Sequence, residues 1–203
     1  MAVVANDRKS KKRSQILEAA AELFMQKGLE NTSMDEVAVQ AGVSKQTVYS
    51  HFGSKNDLFV HCIEDRCVSA QMTEENFELD ADPEKFLLGF ARRFLAMILS
   101  PEVRHVYCSC VRSSESHPEL SQLYFEAGPK RMMELVTSYL TRLNDVGVLV
   151  MPDPTFAAQQ LLLMLHTVDK MRGDLGLALK MDEAQRERYV QQTVTMFLKG
   201  YRP

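Results

Sequence analysis

The sequence SMDEVAVQAGVSKQTVYSHFGSK, from Ser33 to Lys55, decides how the fold is interpreted. Ser33 followed three residues later by Glu36 is the pattern of a capping box and predicts the start of a helix. Ala41-Gly42-Val43 predicts a turn, because its glycine accepts the left-handed backbone that a sharp reversal requires. Ser44 predicts the cap of a second short helix. Two short helices joined by such a turn are typical of a helix-turn-helix, which places its second helix in the DNA major groove.

The outer face of this second helix is polar. On a helical wheel, Val48 and Phe52 point to one side and are expected to pack against the preceding helices. Gln46, Thr47 and Ser50 point to the opposite side, and no acidic residue lies on this helix to repel a DNA backbone. The candidate DNA contacts are Ser33, Ser44, Lys45, Gln46, Thr47, Tyr49, Ser50, His51 and Lys55.

Four of these candidates suit particular parts of a duplex. Lys45 suits guanine, Gln46 suits adenine and Thr47 suits a thymine methyl group. Lys55 could hold a phosphate. The alternative is a plain solvated helix, which is disfavoured because an isolated helix of about eight residues needs a packing partner to exist.

Composition places the chain among ordinary globular proteins. Hydrophobic residues make up 45% and charged residues 25% of its 203 residues, as is typical of soluble domains. The formal net charge is −3. Residues 1–60 carry 8 Lys and Arg against 7 Asp and Glu, whereas the remainder carries 16 against 20. Five cations lie between Arg8 and Arg13, so we expect a basic arm over residues 1–12 that contacts phosphates; a solvated tail is the alternative.

The sequence gives no sign of export. Its first residues lack the apolar core of a signal peptide, and apolar runs such as 94–99 fall far short of the roughly 20 residues that span a membrane. We therefore expect a cytoplasmic protein that is associated with the nucleoid when bound to DNA. Its cysteines are then expected to be reduced and inert, with a redox switch as the alternative; they are Cys62, Cys67, Cys108 and Cys110. No zinc-finger spacing appears, and we expect no metal and no cofactor.

Helical periodicity dominates the whole chain and predicts an all-α fold of about nine helices. Three form an N-terminal head over residues 13–53, one links head to body over residues 54–72, and five form the body. The body helices are predicted at 83–99, 101–112, 118–145, 155–172 and 182–199, with a kink at Pro129 and a stop at Gly200. An acidic connector is predicted at 73–82. The resulting domains are an arm (1–12), a helix-turn-helix domain (13–53) and an effector-binding and dimerisation domain (54–203).

Residues 16–59, ILEAAAELFMQKGLENTSMDEVAVQAGVSKQTVYSHFGSKNDLF, resemble the N-terminal domain of TetR/AcrR-type transcriptional regulators. AAAELFMQKG, AGVSKQTVY and HFGSK follow in family order and spacing. The resemblance implies a homodimer that binds a palindromic DNA operator, with outer body helices forming a four-helix dimer interface. The family's usual DNA-contacting places are matched by Thr47, Tyr49, His51 and Lys55. The places that vary with the operator are matched by Lys45, Gln46 and Ser50, where Ser50 replaces a residue that is often aromatic.

The body is similar to the AefR-like branch, and the resemblance implies an effector pocket whose occupation releases DNA. Methionines on many helices support an adaptable apolar site, although core filling is the alternative for any one of them. The candidate pocket residues are Phe90, Phe94, Met97, His105, Met164 and His166. His166 lies on an apolar helix three residues before Asp169, so it could bind a ligand or pair within the fold.

The last two helices are predicted to pack against their mates in a dimer. The residues expected at that surface are Phe156, Gln159, Gln160, Leu163, Tyr189, Thr193, Met196 and Phe197.

These patterns predict a sequence-specific regulator, most simply a homodimeric repressor that a small hydrophobic effector releases from DNA. A repressor is favoured over an activator because an unassisted dimer on a promoter blocks polymerase. We do not expect an enzyme, since the sequence has no glycine-rich phosphate loop, nucleophile elbow or metal cluster. His105 with Glu102, or His166 with Asp169, could form an acid–base pair, but such pairs arise by chance on helices. A regulator whose body receives a protein partner is a third interpretation.

Overall fold

All regular secondary structure in the described part of the chain is helical. The computed structural model describes residues 2–77 and 82–203, with the backbone alone for residues 2–9. The α-helices are α1 (Ala2–Lys27), α2 (Met34–Gln40), α3 (Lys45–Phe52), α4 (Lys55–Ser69), α5 (Pro83–Leu99), α6 (Pro101–Arg112), α7 (Pro118–Phe125), α8 (Arg131–Asp145), α9 (Pro154–Leu165), α10 (Val168–Asp174) and α11 (Glu183–Tyr201). A 3-10 turn spans Glu74–Asn76, and part of the predicted connector lies outside the described residues. The predicted all-α fold is confirmed.

The kink predicted at Pro129 is a π-helical turn. This turn spans Glu126–Lys130 and joins α7 to α8. A proline has no N–H for the helical ladder, and a wider turn is one way in which a helix accommodates that loss. With α7 and α8 counted as one interrupted helix, the described residues form ten helices, one more than predicted.

Three helix boundaries differ from the prediction. α1 begins at Ala2, so residues 2–12 continue the helix that we expected to start at Arg13. The apolar run predicted as one helix is divided between α9 and α10, because Thr167 leaves the helical conformation and caps α10. α11 continues through Gly200 to Tyr201, whose ring lies 5.0 Å from that of Phe197. A glycine costs a helix only about 1 kcal/mol and does not oblige it to stop.

The chain divides into two compact units that do not follow sequence order. The first contains residues up to Arg66 together with His105–Ala127. Its core residues are Ile16, Leu17, Ala20, Leu23, Phe24, Leu29, Met34, Val37, Ala38, Val48, Phe52, Leu58, Phe59, Cys110 and Leu120. The last two come from α6 and α7, so the segment 105–127 shares its core with the helix-turn-helix.

The second unit contains Cys67–Arg104 and Gly128–Pro203 and buries a chain of aromatic rings. Phe86 stacks on Tyr139 at 4.1 Å between centroids, and Phe77 lies 5.4 Å from Phe86 and 5.5 Å from Phe90. Phe90 in turn stacks on Phe94 at 5.7 Å. Seven residues of α5 are buried, which agrees with the central helix that the sequence predicts.

A buried carboxylate fixes the segment between α10 and α11. Asp169 is only 2% exposed and accepts hydrogen bonds from the backbone N–H of Lys180 (2.9 Å) and of Met181 (2.8 Å). Burial raises the pKa of Asp169, but these two donors and the charges of Arg186 and Arg172 outweigh it, and the pKa lies below its ordinary value.

Candidate nucleic-acid interface

Two side-chain caps and one glycine hold the helix-turn-helix in shape. The Ser33 Oγ accepts from the Glu36 N–H at 3.2 Å, and the Ser33 N–H donates to Glu36 Oε2 at 2.9 Å, which confirms the predicted capping box. Gly42 has φ of +65°, the left-handed conformation predicted for the turn. Ser44 Oγ accepts from the Thr47 N–H at 3.2 Å and caps α3. The caps therefore fix where α2 and α3 begin.

Glu36 belongs to a short charged cluster at the start of α2. Lys27 Nζ lies 2.5 Å from Glu36 Oε1. The hydrogen bond from Lys27, with those from Ser33, lowers the pKa of Glu36 to about 2. Glu36 therefore remains ionised at neutral pH and accepts hydrogen bonds from the Ser33 N–H and hydroxyl at the start of α2.

The orientation predicted for α3 agrees with the burial of its side chains. Val48 is fully buried and Phe52 is 4% exposed, whereas Gln46 and Ser50 are exposed. Tyr49 is 44% exposed, a high value for a ring at the surface of a folded domain. α3 therefore presents amide, hydroxyl and phenol groups outward from a well-packed base.

Several of the candidate contacts already make hydrogen bonds within the head. Ser44 Oγ and Thr47 Oγ1 lie 2.8 Å apart, and Ser50 Oγ donates to the Thr47 carbonyl at 2.9 Å. Lys55 Nζ donates to the Glu30 carbonyl at 3.2 Å. The ring of His51 lies 6.0 Å from that of Phe52, close to the C-terminus of α3. These bonds hold the side chains in place without burying their polar atoms.

Lys45 has an acidic neighbour that the pattern along α3 does not indicate. Its Nζ lies 2.7 Å from Asp35 Oδ1, and it also lies 5.9 Å from the centroid of the Tyr49 ring. The hydrogen bond to Asp35 raises the pKa of Lys45. We expected no carboxylate to repel DNA at this surface, and that holds for α3 alone, because Asp35 comes from α2. A sequence pattern along one helix cannot show what the neighbouring helix contributes.

The candidate pocket residues fall in both units. Phe90, Phe94, Met97, Met164 and His166 belong to the second unit, whereas His105 belongs to the first. Both histidine side chains are exposed. The His166 ring lies 5.8 Å from that of Phe94, and its Nδ1–H donates to the Leu162 carbonyl at 2.9 Å. His166 is thus tied to the end of α9, while the Asp169 carboxylate binds the backbone of Lys180 and Met181.

The predicted dimer surface is partly exposed and partly internal. Phe156 is 61%, Leu163 67% and Met196 59% exposed, which are large values for apolar side chains. Thr193 and Phe197, in contrast, are buried in the unit's own core, so they are not available to a partner as predicted. Those two residues occupy the inward face of the helix that carries Met196.

Two of the four cysteines, Cys62 and Cys110, are poorly suited to redox chemistry. Burial raises the pKa of Cys62 to about 12 and that of Cys110 to about 11. A thiol with so high a pKa holds almost no thiolate at neutral pH. Among the residues that the structure describes, no three His, Cys, Asp or Glu side chains are grouped as a metal ion would need. Within the same residues, no helix combines the length and apolar character that crossing a membrane requires.

Two family models match the chain and agree with this geometry. One, bacterial regulatory proteins of the tetR family, matches residues 16–62. The other, the C-terminal domain of AefR-like transcriptional repressors, matches residues 85–203, which is more than half of the chain. The chain belongs to the TetR family of bacterial transcriptional regulators. Its C-terminal domain is of the AefR-like type, which confirms the resemblance seen in the sequence.

Solved structures share the whole fold. A TetR-family transcriptional regulator from Mesorhizobium loti is 28% identical to this chain, with a TM-score of 0.79 over 97% of this chain and 99% of its own. The flavonoid-responsive regulator FrrA is 30% identical, with a TM-score of 0.73 over 96% of this chain and 98% of FrrA.

Two curated relatives match part of the chain. The repressor NicS of Pseudomonas putida is 33% identical over 94 residues, which are 46% of this chain and 42% of NicS. The activator FasR of Mycolicibacterium smegmatis is 44% identical over 52 residues, which are 26% of this chain and 24% of FasR. The chain thus spans less than half the length of these relatives. One of the two is an activator and the other is a repressor.

Proposed function

We propose that the protein is a homodimeric repressor that binds a palindromic operator and is released by a small, largely hydrophobic effector. The proposal rests on the orientation of α3. Val48 and Phe52 are buried on one side of this helix, so Gln46, Tyr49 and Ser50 are exposed on the other. Amide, hydroxyl and ammonium groups on a helix of this kind match the donor and acceptor pattern of the major groove.

Selection of bound DNA from a random duplex library by the purified protein tests the operator. Enrichment of a palindrome, with half-sites one helical turn or a multiple of it apart, is the expected result for a symmetric dimer. Enrichment of a single unrepeated site would contradict the dimeric arrangement. Binding without any enrichment would contradict sequence-specific regulation.

The effector site is proposed along Phe90, Phe94, Met97, Met164 and His166. The Phe94 ring lies 5.7 Å from the Phe90 ring and 5.8 Å from the His166 ring, so an apolar molecule that enters between these side chains would meet aromatic groups, and the imidazole would supply one polar group to orient it. FrrA, 30% identical over nearly its whole length, is named a flavonoid-responsive regulator, which supports an aromatic effector for this chain as well.

A flavonoid is therefore the first probe to use. It is expected to raise the melting temperature of the protein and to release a labelled operator duplex. His166→Ala should weaken both effects without changing DNA affinity in the absence of the probe. Identical probe responses in wild type and variant would remove His166 from the proposed site.

The proposed mechanism is a two-state change in the distance between the heads of the dimer. A ligand bound in the body would shift the preferred position of α4 and move the two heads apart. The two recognition helices would then no longer fit major grooves about 34–36 Å apart. A tenfold loss of DNA occupancy needs only about 1.4 kcal/mol of preference for the released state. Gln26 is exposed in the last turn of α1 and suits a label. Distances between labels at Gln26 in the two protomers, with operator and with effector, test this mechanism; equal distances would contradict it.

A further inference from the structure

The contact between Asp35 and Lys45 joins the two helices of the helix-turn-helix on an open surface. Asp35 lies in the first turn of α2, and Lys45 is the first residue of α3. Their charged atoms are 2.7 Å apart, yet the Lys45 side chain is 58% and the Asp35 side chain 63% exposed. The pair is therefore formed before DNA arrives and remains accessible to it.

The stability of the head does not explain this pair. Ion pairs with such exposure contribute little to folding. On a surface that meets DNA, a carboxylate is repelled by every phosphate, so it weakens binding to all sequences. A carboxylate at this place gains a favourable contact with DNA where it meets a donor on a base.

A G·C base pair offers the complementary arrangement. Guanine presents two neighbouring acceptors, N7 and O6, in the major groove, and the amino donor of cytosine follows next to them. A lysine suits the two acceptors and an aspartate suits the amino group. An A·T pair instead places a donor between two acceptors and adds a methyl group, so an adjacent cation and carboxylate fit it poorly.

The structure also limits how far the two groups can drift apart. The Ser33–Glu36 capping box fixes the turn that carries Asp35, and the Tyr49 ring lies 5.9 Å from the Lys45 ammonium. A cation near an aromatic face is held there by a weak attraction. Lys45 and Asp35 thus present a donor group beside an acceptor group at a defined place on the head.

We infer that Asp35 and Lys45 together recognise one G·C base pair in each half-site, which makes Asp35 a specificity-determining residue. This inference rests on the proposed operator binding. Asp35 contributes discrimination and not overall affinity, because its charge opposes binding to any duplex that lacks the cytosine donor at that place.

The experiment compares wild type with Asp35→Asn in selection from a random library, followed by dissociation constants for the operator, an A·T-substituted operator and random DNA. Wild type should prefer the G·C operator by about five- to a hundredfold, the range of a good base contact. Asp35→Asn should lose most of that preference while binding random DNA more tightly. Lys45→Met should lose the same preference and bind all DNA more weakly.

Glu18→Gln is the matched control, since it removes one exposed carboxylate from α1. It should leave the base preference unchanged. Circular dichroism and melting of each variant check that the head remains folded, and Asp35→Glu, which keeps the charge, should retain part of the preference.

Two outcomes would overturn the inference. Asp35→Asn could strengthen binding to all three duplexes equally and enrich the same bases as wild type. That result would show that Asp35 only repels DNA through its negative charge and does not recognise a base. Wild type could enrich a site in which no G·C pair is sensitive to Asp35→Asn. Failure of wild type to enrich any site would instead contradict operator binding itself, and the inference with it.

Discussion

Gln46 and Lys55 should differ in what they contribute to DNA binding. Gln46 is exposed at the centre of the outward face of α3, where an amide can bind the edge of an adenine. Lys55 is the first residue of α4, and its ammonium group donates to the Glu30 carbonyl. An ammonium group at this place suits a phosphate. Gln46→Ala should therefore weaken operator binding by about 1–3 kcal/mol more than binding to random DNA. Lys55→Ala should weaken both about equally and reduce the slope of log affinity against log salt by about 1.

Titration of each variant against both duplexes at several salt concentrations makes this comparison. Wild type measured in parallel gives the reference slope. A loss of discrimination in Lys55→Ala, or a uniform loss in Gln46→Ala, would contradict the assignment of base and phosphate contacts.

The pKa of Glu36 predicts an acid-sensitive start of α2. Hydrogen bonding from Lys27 lowers the pKa of Glu36 from 4.5 to about 2 in the folded head. Since the folded value is below the unfolded one, the stability that this carboxylate contributes is complete above about pH 4.5 and is lost as pH falls towards 2. Glu36→Gln should therefore lower the melting temperature by a constant amount above pH 5, and the difference from wild type should shrink below pH 4.5.

Melting curves followed by circular dichroism between pH 2 and 7 measure this difference, with Glu18→Gln as the control. A difference that is the same at pH 3 and pH 7 would show that Glu36 acts through its shape and not its charge.

At the residue scale, local signals were predictable and contacts between helices were not. Ser33, Glu36 and Ser44 cap helices as predicted, because capping depends on residues three positions apart. The contact of Asp35 with Lys45 joins residues of different helices, and no spacing rule identifies it. The same limit explains why Thr193 and Phe197 were placed on the wrong face of α11.

The division between α9 and α10 depends on Thr167. This residue is 4% exposed, and its side chain accepts from the Lys170 N–H at 3.3 Å. Replacing a threonine cap with alanine typically costs about 0.5–2 kcal/mol. Thr167→Ala should therefore lower the free energy of unfolding by about 1 kcal/mol, measured by urea titration.

Thr155→Ala is the matched control, because Thr155 lies exposed in the first turn of α9, where Asp153 is the cap. It should change the unfolding free energy far less. Equal losses in the two variants would contradict a capping role for Thr167.

At the scale of elements, periodicity predicted the helices but not all of their ends. Val168 and Met171 of α10 follow the leucines of α9, so the apolar pattern does not mark the place where Thr167 interrupts the helix. Pro129 predicts the interruption, but the sequence does not show that the interruption takes the form of a π-helical turn.

The exposed apolar residues of α9 and α11 predict the association of two chains. Leu163 and Met196 are 67% and 59% exposed, and large apolar side chains on two outer helices favour burial against a partner. Sedimentation at micromolar concentration should give twice the 23.1 kDa mass of the chain. Leu163→Glu should yield monomers, because a charge in a dimer core is left without a partner.

Val146→Glu is the control, since Val146 is 60% exposed at the end of α8, outside the two helices. It should remain dimeric. A monomeric wild-type protein would contradict both the predicted surface and the palindromic operator.

At the scale of the whole chain, family membership followed from one stretch of about 44 residues, and the fold class followed from helical periodicity along the whole chain. The division into two compact units could not be predicted from the sequence, because segment 105–127 shares a core with the head although it is separated from the head in sequence. The proposed effector site is the part that the sequence predicts least well, since methionine and phenylalanine are equally suited to filling a core and to lining a pocket.

The hydrogen bonds that Asp169 accepts also affect how readily a protease cleaves the chain near Lys180. Lys180 is exposed and is a residue after which trypsin cleaves, but its backbone N–H and that of Met181 are both held by the buried carboxylate. Trypsin must draw the chain into an extended conformation, and here it could do so only by breaking both bonds. The folded protein should therefore resist nicking after Lys180, and the rate of that single cut would report how often the segment between α10 and α11 comes loose.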